Sequence, residues 1–133
     1  MKKIKKICII DDDPIHIYVT KDAIENTDLC EEVLEYENGK VAYDALVEMN
    51  NSNEKLPNLI LLDLNMPIWD GWDFLEEFSK LELKEKVVVF INTSSNDPAD
   101  ERKAKEYSLV NSLIIKPISI DNLITEIAKV NDL

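Results

Sequence analysis

Three carboxylates in a row, Asp11-Asp12-Asp13, follow the apolar run Ile7 to Ile10, and a fourth, Asp63, ends the apolar run Leu59 to Leu62. Thr93-Ser94-Ser95 follows a third apolar run, and Lys116-Pro117 follows a fourth. Gathered on one rim, such carboxylates repel: two charges about 5 Å apart cost roughly 3 kcal/mol at an effective dielectric near 20. A divalent cation is the natural relief. All-oxygen ligands select a hard ion, and a few carboxylates completed by water suit Mg²⁺ better than Ca²⁺. An acidic metal site that also holds a lysine and a hydroxyl fits phosphoryl transfer. The metal neutralises some phosphoryl oxygens, an ammonium pairs with another, and a hydroxyl or backbone N–H takes the third. A carboxylate can itself be the nucleophile, forming an aspartyl phosphate, a reactive and therefore transient anhydride.

The elements that must position these groups follow from periodicity. Ile4 to Ile10 predicts a first strand, and Pro14 to Asn26 a helix with proline in its first turn. Glu32 to Glu37 predicts a short, charged strand suited to a sheet edge. A turn at Asn38-Gly39 leads into a helix that would bury Val41, Ala42, Ala45, Leu46 and Met49. After the polar loop Asn50 to Asn58 comes a strand from Leu59 to Asp63. A third helix follows, with Phe74, Leu75 and Phe78 on one face and Trp72 in the core at its start. Val87 to Asn92 predicts the fourth strand, and Asp97-Pro98 the N-cap and first position of a helix burying Ala104 and Tyr107. Leu113 to Ile115 predicts the fifth strand. Leu123, Ile124, Ile127 and Ala128 form the apolar face of the last helix. Strands alternating with helices predict an open, doubly wound α/β sheet with helices on both faces. Such folds carry their chemistry outside the carboxyl ends of the strands, where these polar groups lie.

The composition narrows the function. A chain of 133 residues predicts one domain, 1–133. A formal net charge of −12 argues against nucleic acid as a partner. MKKIKK resembles the start of a signal peptide, but only Ile7-Cys8-Ile9-Ile10 follows before the aspartates, and no apolar run is long enough for a bilayer. A cytoplasmic protein with no membrane contact is expected. Cys8 reads as a packing residue and Cys30 as a loop residue, both as reduced thiols. His16, the lone histidine, reads as a surface or half-buried residue of the first helix rather than a ligand. Trp69 has two open readings, exposure for a partner or loop packing.

Taken in order, "IIDDD", "LLDLNMPIWDG", "NTSS" and "KP" resemble the receiver domain of two-component response regulators, from about Ile4 to the last helix. Thirty residues separate Asp63 from Thr93 and twenty-three separate Thr93 from Lys116, which fits that family. The resemblance implies a CheY-like, flavodoxin-like fold with strand order 2-1-3-4-5. It implies that Asp63 is the phosphoacceptor. Asp11 and Asp12 would form the acidic pair that holds Mg²⁺ with Asp63 and the backbone carbonyl of Asn65. Thr93 would bond the phosphoryl group, Lys116 would pair with one of its oxygens, and Pro117 would follow through a cis bond. Asp13 extends past the pair and would not be a ligand. Many receivers carry Tyr or Phe where Leu113 stands, and a glycine before strand five that "EYSLVNSL" lacks; the aromatic switch and the approach to that strand are expected to differ.

The resulting expectation is a stand-alone receiver without an output domain. A histidine kinase or histidine phosphotransfer protein would phosphorylate Asp63 with Mg²⁺ bound. The phosphorylated form would signal to a downstream protein through the face near the fourth helix, fifth strand and fifth helix. It would catalyse only its own phosphorylation and dephosphorylation. Two rivals differ in class. One is a small Mg²⁺-dependent phosphatase of the haloacid dehalogenase type, using Asp11 and Asp13. The other is a pseudo-receiver that binds partners without phosphorylation.

Overall fold

The computed structural model describes residues 3–130 and 133; Met1 and Lys2 of the lysine-rich start, and residues 131–132, lie outside that description. Ten elements alternate: β1 (Ile4–Ile10), α1 (Pro14–Asn26), β2 (Cys30–Tyr36), α2 (Gly39–Asn50), β3 (Leu59–Leu62), α3 (Gly71–Phe78), β4 (Val88–Thr93), α4 (Pro98–Ala104), β5 (Val110–Ile115) and α5 (Ile120–Ala128). The strands form one parallel sheet in the order β2-β1-β3-β4-β5.

Burial explains that order. β3 and β4 are buried along their whole length, as central parallel strands covered on both faces must be. β2 and β5 are the edges, and both are largely half-buried or exposed. The sheet divides the core into two layers. Ile10, Leu46, Phe74, Phe78 and Ile91 pack on the α2/α3 side, and Ile9, Ile24, Leu61, Phe90, Leu123 and Ile127 pack on the α1/α5 side.

Register aligns the strand ends. Ile9 pairs with Leu61 and Leu61 with Phe90, a row on the α1/α5 side. Side chains alternate along a strand. The next row on that side is therefore Asp11, Asp63 and Asn92. The Asp63 N–H donates to the Ile10 carbonyl at 2.9 Å, which carries the ladder one residue past β3.

Several local expectations are corrected. β2 begins at Cys30, so Cys30 is a buried strand residue and not a loop residue. Cys8 and Cys30 are free thiols in opposite core layers. Asn38 is not a turn residue but the N-cap of α2, accepting from the Val41 N–H. Val41 and Ala128 are exposed, because each lies at the edge of its helix's apolar stripe. β4 runs one residue later than expected, which makes Thr93 a strand residue, and β5 begins three residues earlier, at Val110. α4 ends at Ala104, so Tyr107 lies beyond it. There its ring stacks on Trp72, with the ring centres 6.2 Å apart, and Lys103 Nζ lies 4.8 Å from the Trp72 ring centre. Trp72 is thus half-buried, packed against the α2/α3 core layer at its edge rather than enclosed in it. Trp69 is half-buried and packs on α2, its ring 5.2 Å from the Tyr43 ring and 5.2 Å from Lys40 Nζ.

Candidate functional site

The site sits on the rim at the carboxyl ends of β1, β3, β4 and β5. Asp11 is buried one residue past β1, Asp12 beside it is exposed, and Asp63 is buried one residue past β3. Ligand oxygens of these three carboxylates lie within 4.8 Å of one another. A hard divalent cation fits such a set: the donors are all oxygen, negatively charged, and converge from two strands. Asn65 lies two residues beyond Asp63, at the start of the β3–α3 loop, and is exposed.

Lys116 reaches the same cluster from β5. Its backbone N–H donates to the Thr93 carbonyl at 2.7 Å, which ties the end of β5 to β4. Its Nζ donates to Asp11 Oδ2 at 3.0 Å and lies 3.5 Å from Asp63 Oδ1. The Lys116–Pro117 peptide is cis, as the resemblance implied. Thr93 is fully buried at the end of β4, and its Oγ1 accepts from the Ser95 N–H at 3.1 Å. The set Asp11, Asp12, Asp63, Thr93 and Lys116 thus occupies one rim.

The two buried carboxylates differ in proton affinity. Burial pushes Asp63 up and the charge of Asp11 pushes it further, against the pull of Lys116 and the Asn65 N–H; the result is about 6. Burial also pushes Asp11 up, but hydrogen bonds from His16, the Asp13 N–H and Lys116 outweigh it and hold Asp11 below the usual carboxylate range. Asp11 is therefore the fixed anion of the pair, and Asp63 the more basic one.

Asp13 has another task. Its carboxylate caps α1, accepting from the Ile15 N–H at 3.0 Å and the His16 N–H at 3.4 Å. This accounts for the third aspartate without a role at the cluster. His16 does more than the sequence suggested: its Nδ1 lies 2.7 Å from Asp11 Oδ2. Only the helix geometry brings it there, and the sequence signal was no more than its place in the first turn after the acidic run.

The loop after Asp63 is held tightly. The Gly71 N–H donates to the Leu64 carbonyl at 3.0 Å, and Asp70 and Asp73 form a reciprocal capping box at the start of α3. A Cβ at Gly71 would lie 2.6 Å from the Asp63 carbonyl oxygen, so glycine permits this closure. Ile68 in the same loop has φ 69°, a left-handed conformation that strains a β-branched residue, and it is 75% exposed. Leu113, in place of an aromatic, is half-buried, and a groove of about 490 Å³ lined by Ala104, Lys105, Leu113 and Ile115 runs between α4 and β5. Among the described residues no helix is long and apolar enough to cross a membrane.

Comparison with known proteins places these observations in a wider set. Residues 7–128 match the family described as the response regulator receiver domain. The chain is 30% identical over 117 residues to "Probable methanogenesis regulatory protein FilR2" of Methanothrix harundinacea, covering 88% of this chain and 75% of that protein. It is similar to the crystal structure of a two component response regulator from Cytophaga hutchinsonii, with 30% identity, a TM-score of 0.86, and 96% and 97% of the two chains covered. It is also similar to the Mn²⁺-bound form of response regulator Rcp1, known from Synechocystis, with 27% identity, a TM-score of 0.73, and 91% and 87% covered.

Proposed function

This chain belongs to the response regulator receiver domain family of two-component signalling, and from that premise we propose that Asp63 is the residue that takes the phosphoryl group. The observation that carries the assignment is the placement of Asp63 at the end of the central strand β3, within 4.8 Å of the Asp11 and Asp12 ligand oxygens and 3.5 Å from Lys116 Nζ. Asp63 is the more basic of the two buried carboxylates, at about 6, yet mostly ionised at neutral pH. A nucleophile needs that combination of basicity and charge.

In the proposed step, an Asp63 carboxylate oxygen attacks the phosphorus of a phosphohistidine on a kinase or phosphotransfer protein. The new P–O bond forms as the P–N bond breaks, and the leaving imidazole nitrogen takes up a proton. Lys116, 3.5 Å from Asp63, moves its ammonium onto a phosphoryl oxygen. Thr93 already uses one Oγ1 lone pair on the Ser95 N–H, and its hydroxyl hydrogen is donated to a second phosphoryl oxygen. Asp11, Asp12, Asp63 and the Asn65 carbonyl would hold Mg²⁺. Bound there, the ion would neutralise charge that develops on the transferring group. Hydrolysis of the acyl phosphate resets the protein, so its chemistry acts on itself. Signalling then proceeds by protein–protein contact through the α4–β5–α5 face, where the groove beside Leu113 leaves room for Thr93 to draw the β4–α4 loop inward.

The test is incubation with Mg²⁺ and acetyl phosphate, followed by intact mass measurement of wild type and Asp63→Asn. Wild type is expected to gain one phosphoryl group and the variant none. Equal modification of both proteins, or an adduct that persists on Asp11, refutes the assignment.

A further inference from the structure

We propose that His16 is a positioning residue for the site: it clamps Asp11 through Nδ1 and so releases Lys116 to serve Asp63. The inference rests on the reading of the acidic cluster as the Mg²⁺ and phosphoryl site. Its starting point is the crowding on one carboxylate. Asp11 Oδ1 accepts from the Asp13 N–H at 2.9 Å, and Asp11 Oδ2 accepts from both His16 Nδ1 at 2.7 Å and Lys116 Nζ at 3.0 Å. An ionised carboxylate only accepts, so Nδ1 is the donor in this contact. A carboxylate has about four lone-pair directions. Three are filled, two by donors at the start of α1 and one by Lys116 at the end of β5, which leaves one direction, fixed in space, for a cation.

The two partners of Oδ2 are not equivalent. Lys116 must leave Asp11 when a phosphoryl oxygen appears on Asp63, and without another donor Asp11 would hold it back. His16 cannot leave, because it sits in the first turn of α1, whose start is pinned by the Asp13 cap. Its ring is mostly covered, with 15% of the side chain exposed. Simple filling of space does not explain the residue. Nε2 is buried without a hydrogen-bond partner among the described residues, as is Thr20 Oγ1 one turn further along the same face. A buried ring nitrogen left unpaired is a cost that an apolar side chain would avoid. What the imidazole gains in exchange is the Nδ1 contact.

The geometry selects the variants. The side-chain amide of asparagine places a donor near the position of Nδ1, whereas that of glutamine places one near Nε2. Mg²⁺ binding is measured by calorimetry for wild type, His16→Asn, His16→Gln, His16→Leu and Asp12→Asn, with melts in EDTA to confirm that each is folded. His16→Leu and His16→Gln are expected to bind Mg²⁺ about 10-fold more weakly, as losses of such supporting contacts do, and His16→Asn to stay within about 3-fold of wild type. A readout that needs no metal accompanies it. Histidine occurs once in the chain, so a long-range ¹H–¹⁵N correlation should show a proton on Nδ1 of the single imidazole. The proposal is overturned if His16→Leu binds as wild type, if glutamine restores binding as well as asparagine, if all three variants weaken alike, or if the proton resides on Nε2 alone. If Asp12→Asn binds as wild type, the reading of the cluster as the metal site fails, and this inference with it. Loss in Asp12→Asn beside an unchanged His16→Leu overturns this inference alone.

Discussion

Replacing Asp63 with asparagine should stabilise the metal-free protein near neutral pH, even though it abolishes the proposed chemistry. Asp63 has its proton affinity raised to about 6 in the fold, against about 3.9 in an unfolded chain. Between those values the folded state binds the proton and the unfolded state does not. Stability from this group is therefore complete below about pH 4 and is lost as pH rises through about 6. Two pH units correspond to about 3 kcal/mol, paid by the ionised carboxylate above that range. Asparagine keeps the shape and removes the charge, and Lys116 keeps its shorter contact to Asp11 at 3.0 Å. The variant should match wild type at pH 4 and exceed it by up to about 3 kcal/mol at pH 7.5 in EDTA. For a chain of this size that is about 10 °C in melting temperature. Urea melts of both proteins at several pH values measure the difference, in which the titration of groups far from Asp63 cancels. Saturating Mg²⁺ should close the gap, because it stabilises wild type by about 2.7 kcal/mol at 100 times its dissociation constant. A variant less stable than wild type at pH 7.5 in EDTA, or a difference that does not change with pH, would refute the account of Asp63 as a carboxylate strained by burial and by Asp11.

Lys116→Met should push the Asp63 carboxyl further above 6, since Lys116 opposes the rise; carboxyl ¹³C shifts followed against pH report it. Gly71→Ala should lower stability by about 2 kcal/mol or more, because its Cβ would meet the Asp63 and Leu64 backbone at 2.6 and 2.9 Å and force them apart, and denaturant midpoints measure the loss. Phe74→Ala should cost about 3–5 kcal/mol in the same assay, as a fully buried ring stacked 5.0 Å from Phe78.

The fold was largely legible because its signals are local. Apolar runs mark β1, β3 and β4, and the 3.6-residue spacing of Phe74, Leu75 and Phe78 marks α3. Edge strands gave weaker signals. β2 and β5 are partly exposed, so no continuous apolar run marks where they start, at Cys30 and Val110. Trp72 misled for a related reason: a large aromatic beside a core stripe can equally stack on the surface, and only Tyr107 and Lys103 decided which.

At the site the division is sharper. The sequence by itself determined which groups reach the rim, because a strand that stops at a carboxylate must aim it beyond the sheet. It also determined that Asp11, Asp12, Asp63, Thr93 and Lys116 belong together, since parallel strands bring their ends to one side. It could not determine how those groups divide the charge. That depends on distances between residues as far apart as Asp11 and Lys116, and on how deeply each carboxylate is buried. The tertiary structure made Asp11 the anion held by three donors, made Asp63 the basic one, and gave the half-buried His16 a partner in Asp11. Coulomb energies and desolvation depend on three-dimensional separation and burial, and neither quantity is written along a chain.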